Sequence, residues 1–250
     1  MATVESIYRY PVKGLSPEKL NSVRLEPGKT LPADRRYAIE NGPSGFDPAA
    51  PKYFPKTQFL MLMRNERLAA LDTRYHDASH VLTVRGEDRE LARGDLSTKE
   101  GRLAIEAFFR KFMPAELHGA PKVLQADGHS FSDVAAKVVS IINLASVATL
   151  ETVIGAPVHP LRFRANVYVR GWPAWSELDL LGQTISIGRA MLKVTKRIKR
   201  CAAINVDPDT GQRDLTIPAV LMQTYDHMDC GIYAQVIEGG EIAPGDAVSP

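Results

Sequence analysis

Cysteine is scarce: the chain has two, Cys201 and Cys230, in 250 residues. Two cysteines cannot build a disulfide framework, nor a zinc or iron–sulfur site made of cysteine alone, so no iron–sulfur cluster is expected in this chain. A dominant charge is also missing. Lysine and arginine number 31 against 29 acidic residues, and a net charge of +2 gives no global attraction to nucleic acid or to a membrane surface. No apolar run approaches the roughly 18 residues of a membrane span. The longest apolar-rich stretch, 134–150, is broken by Lys137, Ser140, Asn143 and Ser146. The first residues show neither a basic segment followed by an apolar one nor a twin-arginine pair. The expectation is a cytoplasmic protein with reduced thiols, no membrane and no nucleic-acid partner. Glycine-rich nucleotide loops, a G-x-S-x-G elbow and a two-histidine metal spacing are all lacking.

What is present points to a folded, mainly β chain with a few helices. Hydrophobic residues make up 44% and charged residues 24%, enough apolar content for a real core. The length suits one large domain or two small ones. Short β-branched or alternating runs recur at 6–10, 22–25, 37–39, 68–71 and 81–84, then at 167–169, 184–187, 191–194 and 232–237. Turn residues such as Glu26-Pro27-Gly28, Asn41-Gly42-Pro43 and Arg85-Gly86-Glu87-Asp88 separate the first group, and 46–56 reads as a proline-rich loop. Many short strands with such punctuation predict a barrel or sandwich. Ser97 and Glu100 read as a capping box opening a helix through Phe112, with Leu103, Ala107, Phe108 and Met113 near helical spacing. Asn143 caps a second predicted helix, Leu144 to Val153, stopping at Gly155. Pro114, Gly119, Pro121 and Gly128 place a break in organisation within 112–130, dividing the chain into 1–115 and 116–250.

The densest chemical signal precedes Cys201, where five of eight residues are basic, Lys199 and Arg200 among them. Nearby cations favour the thiolate, the reactive and metal-binding form of cysteine. The same stretch also reads as an exposed basic strand beside an inert cysteine. Arg162, Arg164 and Asn166 form a second cluster, with planar forks and an amide suited to phosphate or a heterocycle edge, or to a solvated strand edge. Lys13-Gly14 and Asp34-Arg35-Arg36 form a third, weaker one. Asp207-Pro-Asp-Thr-Gly211 is a turn: Pro sets φ and Gly supplies φ > 0. Trp172 and Trp175 could wall a substrate pocket or simply pack.

Taken in order, these segments resemble the MOSC-domain proteins, a group related to the C-terminal domain of molybdenum cofactor sulfurase. Tyr10-Pro-Val-Lys13-Gly14 is similar to that family's Y-P-V-K-S, and Asp34-Arg35-Arg36-Tyr37 to its D-R-x-W. Ser132-Asp133 and 141–146 resemble its S-D and S-x-x-S segments, and 162–166 its R-F-R-P-N. Arg200-Cys201 with 206–211, then Gly231-Ile-Tyr233 and Gly245-Asp246, resemble R-C, V-D-P-x-T-G, G-x-Y and G-D. The resemblance runs nearly end to end. Gly14, Tyr37, Ala165 and Cys230 depart from the usual serine, tryptophan, proline and aromatic.

The resemblance implies an N-terminal MOSC-type β-barrel-like domain, a MOSC barrel, and a molybdenum cofactor (Mo-molybdopterin) between them. In the branch that includes the amidoxime-reducing component, it implies a reductase of N-hydroxylated compounds. Cys201 is then the metal ligand and catalytic residue, and Lys13, Gly14, Arg35, Arg164, Asn166, Lys199 and Arg200 hold the cofactor. A plant-type ferredoxin domain is not expected here, which implies a separate electron donor of the ferredoxin, cytochrome or flavin-reductase type acting on a small-molecule substrate. The alternative is a cofactor carrier or sulfur-transfer protein using the same cysteine without reducing a substrate. A barrel that has lost its metal and binds another anion is a third reading.

Overall fold

The first strand turns Ala2 and Val4 inward by alternation, and an irregularity between Val4 and Ser6 shifts the phase so that Ile7 also faces in. That pattern lets it line a closed barrel at the opposite end of the chain from its own neighbours. The computed structural model describes residues 1–87 and 89–250. In chain order the elements are β1 (Ala2–Arg9), β2 (Glu18–Leu20), β3 (Val23–Leu25), β4 (Ala38–Asn41), β5 (Asp72–His76), β6 (Val81–Gly86), β7 (Arg89–Asp95), α1 (Lys99–Phe112) and β8 (Pro121–Leu124). There follow β9 (Val139–Asn143), α2 (Leu144–Ile154), β10 (Val167–Arg170), β11 (Thr184–Ile187), β12 (Ala190–Lys199), α3 (Ile217–Tyr225), β13 (Asp229–Glu238), β14 (Gly240–Ile242) and β15 (Ala247–Ser249).

The main sheet runs β10-β9-β13-β12-β11-β15-β1-β2, and β10 also pairs with β1. The first seven strands therefore close into a ring, with β2 appended, and the mainly β, barrel-based expectation is borne out. Closure depends on Ile7 facing Val167 and Val4 facing Val169, both antiparallel. The interior is aliphatic, including Ile7, Ile141, Val167, Ile185, Leu192 and Ile232, all with no exposure. Trp172 joins this core and Trp175 packs on Tyr225, so both tryptophans are packing residues.

Outside the ring, β4 pairs with β8, β5-β6-β7 form a three-stranded sheet, and β3 pairs with β14. Helix α1 covers the three-stranded sheet through Ile105 and Phe109, and its C-cap Met113 continues this i, i+4 stripe. The expected face is half right: Met113 is buried and Phe108 packs partly on this core, but Leu103 and Ala107 are exposed. The N-cap is corrected as well. Thr98, not Ser97, accepts from the Gly101 amide at 3.0 Å, while Ser97 bonds Asp95. The strand expected at 68–71 is a 3-10 turn, Glu66–Ala70, because Leu68 and Leu71 repeat every three residues and face one core. Helix α2 keeps the expected ends, with Asn143 Oδ1 accepting from Ala145 N at 3.1 Å and Gly155 left-handed. Sequence reading had no place for β2, β5, β7, β8, β9, β14, β15 or α3, and β9 and β15 among these belong to the ring. The turn expected at 85–88 includes Asp88, which lies outside the described residues.

Because Thr98 carries the cap, Thr98→Ala is expected to cost about 1 kcal/mol, and Ser97→Ala less than about 0.5 kcal/mol. Urea denaturation of the two variants checks the order.

Candidate functional site

Strand β1 ends at Arg9, and the chain turns through Tyr10 to Gly14 against the stretch 34–37. Lys13 N donates to Tyr37 O at 2.8 Å and Arg35 N to Tyr10 O at 2.7 Å. The Asp34 carboxylate, itself buried, accepts from Tyr10 N at 2.9 Å and from the Arg35 guanidinium. Gly14 has φ +83, and a Cβ there would lie 2.9 Å from Leu60 O, so the departure from serine has a backbone cause. Beside this turn, Asn166 O accepts from Tyr8 N at 2.7 Å because β1 pairs with β10. The same pairing brings Arg164 up to the turn. Arg164 Nη2 donates to Leu15 O at 2.7 Å, and Arg35 Nη2 donates to Arg164 O at 2.9 Å. Both guanidiniums lie over the Tyr10 ring, at 4.8 Å (Arg35) and 4.3 Å (Arg164) from its centroid.

A cavity of about 260 Å³ opens at this junction. Every residue proposed from sequence lines it: Lys13, Gly14, Arg35, Arg164, Asn166, Lys199, Arg200 and Cys201. Their freedom to act differs. Asn166 Oδ1 already accepts from Ser140 N and Oγ, and Nδ2 donates to Tyr8 O, so one amide hydrogen remains for a ligand. Lys199 is an exposed rim residue at the end of β12. Arg200 is buried; Nε donates to Cys230 O at 2.7 Å and Nη1 to Phe163 O at 2.9 Å, while Nη2 has no partner. Arg162 also lines the cavity, but both its amino groups are spent on structure, binding Asp214 at 2.7 Å and Asp207 at 2.9 Å, and only its buried Nε has no partner. Asp207 in turn caps the turn 208–210 through Thr210 N.

Two residues that sequence reasoning left out of the site stand beside Cys201. Lys56 Nζ lies 3.2 Å from Cys201 Sγ and 3.3 Å from Asp133 Oδ2. Asp133 Oδ1 binds Lys13 Nζ, which also donates to Phe131 O at 2.9 Å. Burial works against the charge on Asp133, yet Lys13 and Lys56 outweigh it and hold its pKa well below the carboxylate range. Burial lowers the pKa of Lys13. For Lys56 burial acts the same way, but Asp133 and Cys201 reverse it and the value is raised. Asp133 stood inside a recognised motif; nothing local marked Lys56, which is 145 residues from its sulfur partner.

The wall carries nine basic side chains against the two carboxylates Asp34 and Asp133. A half-dry cavity with that imbalance suits an anion with several acceptor oxygens. Among the described residues no three His, Cys, Asp or Glu side chains form a metal-binding group. A metal held by Cys201 would therefore take its other ligands from a bound molecule. The unpartnered Arg200 Nη2, the cationic excess and the single half-exposed thiol all fit an anionic cofactor whose metal needs one soft protein ligand. Cys230, by contrast, is fully buried, and burial pushes its thiol up to about 12. No helix among the described residues is long and apolar enough to cross a membrane.

Comparison with known proteins bears on this cavity. The model of the MOSC domain matches residues 114–249 and that of the MOSC N-terminal beta barrel domain residues 1–116. Molybdenum cofactor sulfurase of Caenorhabditis elegans is 35% identical over 100 residues, 37% of this chain and 13% of that protein. The Caenorhabditis briggsae protein of the same name is 34% identical over 115 residues, 43% of this chain and 15% of that one. The chain thus matches less than a fifth of the length of either relative. Among solved structures, the YUAD protein of Bacillus subtilis covers 99% of this chain and 93% of its own, at 12% identity and a TM-score of 0.46. YiiM of Geobacillus stearothermophilus covers 44% of this chain and 52% of its own, at 23% identity and a TM-score of 0.35.

The Asp133 clamp predicts a pH signature. Its folded pKa lies below the unfolded value of about 3.9, so its contribution to stability is complete above that value and shrinks as pH falls through the folded one. Asp133→Asn is expected to lower stability at neutral pH and to lose less on further acidification than the wild type. Urea melts across the acid range measure both slopes.

Proposed function

The chain belongs to the MOSC-domain family, and from that premise we propose that it binds a molybdenum cofactor and reduces N-hydroxylated compounds. The observation that carries this reading is a cation-lined cavity with one half-exposed cysteine in its wall. The names of the curated relatives support the molybdenum-cofactor association. In this reading the cofactor supplies two-electron oxygen-atom chemistry at its metal. Cys201 Sγ is the protein ligand. The forks of Arg35, Arg164 and Arg200 hold anionic oxygens of the cofactor, Lys13 adds a buried positive charge, and the remaining hydrogen of Asn166 Nδ2 meets a heterocycle edge. Gly14 keeps the turn close enough for backbone contact. Lys199 screens the entrance.

Net reduction of an N–OH group to N–H consumes two electrons and two protons and releases water. The electrons come from a separate donor protein. A carrier or sulfur-transfer role for Cys201 is the competing reading; it shares the cavity but requires no substrate turnover.

The decisive experiment uses protein from a host able to make the cofactor. Elemental analysis is expected to find molybdenum, and an artificial donor is expected to drive reduction of an amidoxime. Cys201→Ser should lose most of the metal and lower turnover by roughly 100-fold or more. Full metal content and full activity in that variant would refute the ligand assignment, and metal without turnover in the wild type would favour the carrier.

A further inference from the structure

We propose that Lys56 is a positioning residue for the Cys201 sulfur, holding it with an N–H···S hydrogen bond. The role of that sulfur rests on the reading above, but the contact itself does not. Lys56 is delivered by a segment with little freedom. Pro55 precedes it, and it opens the 3-10 turn Lys56–Gln58, where Phe59 N donates to Lys56 O at 3.1 Å. The loop is pressed down by aromatic contacts: Phe54 meets Phe46 with ring centroids 6.0 Å apart, and Phe59 meets Phe131 at 5.4 Å. Tyr53 OH adds a hydrogen bond to Asp133 O at 3.2 Å. The side chain of Lys56 is 28% exposed, so its ammonium is drawn in toward the cavity rather than released to water.

That ammonium has three hydrogens and two protein acceptors, Cys201 Sγ and Asp133 Oδ2. Asp133 is held from its other oxygen by Lys13. The result is a chain of contacts, Lys13–Asp133–Lys56–Cys201, from the turn after β1 to the second residue after β12. Asp133 fixes Lys56, and Lys56 fixes the sulfur. A donor on a thiolate leaves its other lone pairs for a metal, and such hydrogen bonds stabilise charge on sulfur and so favour the reduced state of a metal it ligates. Removing Lys56 therefore shifts the potential of a bound metal downward without removing a ligand.

The test has one arm that needs no cofactor. Metal-free wild type, Lys56→Met and Lys56→Arg are each treated with neutral iodoacetamide and with anionic iodoacetate at one pH and salt concentration, and alkylation of Cys201 is followed by mass spectrometry. The iodoacetate-to-iodoacetamide rate ratio cancels thiolate fraction and access and reports the charge beside the sulfur. It is expected to fall about threefold or more in Lys56→Met and to stay close to wild type in Lys56→Arg. Unreactive Cys230 in each variant confirms that the core is closed. An unchanged ratio in Lys56→Met overturns the proposal. In molybdenum-loaded protein, the metal's reduction potential is expected to shift negative in Lys56→Met and to recover in Lys56→Arg; no shift there also overturns it. A chain that takes up no molybdenum but shows the alkylation pattern overturns the cofactor reading and supports the role of Lys56.

Discussion

The pairing of β1 with β10 is the constraint from which the rest follows. It is a long-range contact, Ile7 on Val167, and it completes a ring that otherwise consists of C-terminal strands. Each fully buried aliphatic side chain in that ring is worth about 1.5–3 kcal/mol, so the ring strongly favours keeping β1 in register. A strand held at residue 9 and another starting at residue 167 leave their flanking turns face to face. Those turns carry Lys13 and Gly14 on one side and Arg164 and Asn166 on the other. The cavity is thus a by-product of barrel closure, and its residues are positioned by apolar pairing several residues away.

Closure also concentrates like charges. Arg35 and Arg164 share one tyrosine ring, and burial pulls the pKa of Arg164 down. Buried cations need compensation. Asp34 and Asp133 supply part of it, and Tyr10 contributes its ring face. Both arginines also sit at left-handed φ, +52 and +49, an unfavourable conformation for a residue with a Cβ. Strain and unbalanced charge meet at one place, which is where a protein stores the cost of binding something. In the proposed reading, an anionic ligand would relieve the charge and give Arg200 Nη2 the acceptor it lacks.

Much of this was legible in the sequence, for identifiable reasons. Strand alternation and turn chemistry are local, so the longer strands β1, β6, β12 and β13, four shorter ones and α2 could be read directly, while short or buried strands such as β9 and β15 could not. The site motifs are also local, each only a few residues long. What failed was tertiary or depended on phase. The repeat of Leu68 and Leu71 is three, not two, and a β-like composition hid it. Helix α3 starts at Ile217-Pro218 behind Thr216, a start signal that sequence reading passed over because only nine residues follow it; in the structure Thr216 makes no side-chain cap bond. Lys56 lay in a proline-rich loop whose irregular backbone has no period to extrapolate. Its relevance comes from the aromatic cluster that presses the loop onto the cavity, a contact set scattered from Phe46 to Phe131.

The scarcity of cysteine takes on physical meaning in this frame. Cys230 and Cys201 are joined through Arg200, whose Nε is held by the Cys230 carbonyl while its backbone leads into Cys201. Gly231 follows, with φ +81 and room for no Cβ, since one would lie 2.5 Å from Ile141 O and 3.1 Å from Arg200 Nη2. The backbone at 230–231 is therefore shaped around the arginine. What matters at position 230 is a carbonyl at the right place and a side chain that fills the space beneath α2 and α3; the thiol itself, buried and raised, contributes volume. At position 201 the reverse holds. The sulfur leaves the end of β12, is half-exposed to the cavity, and meets an ammonium fixed by a carboxylate. Burial makes one of the two cysteines inert, and strand termination makes the other available.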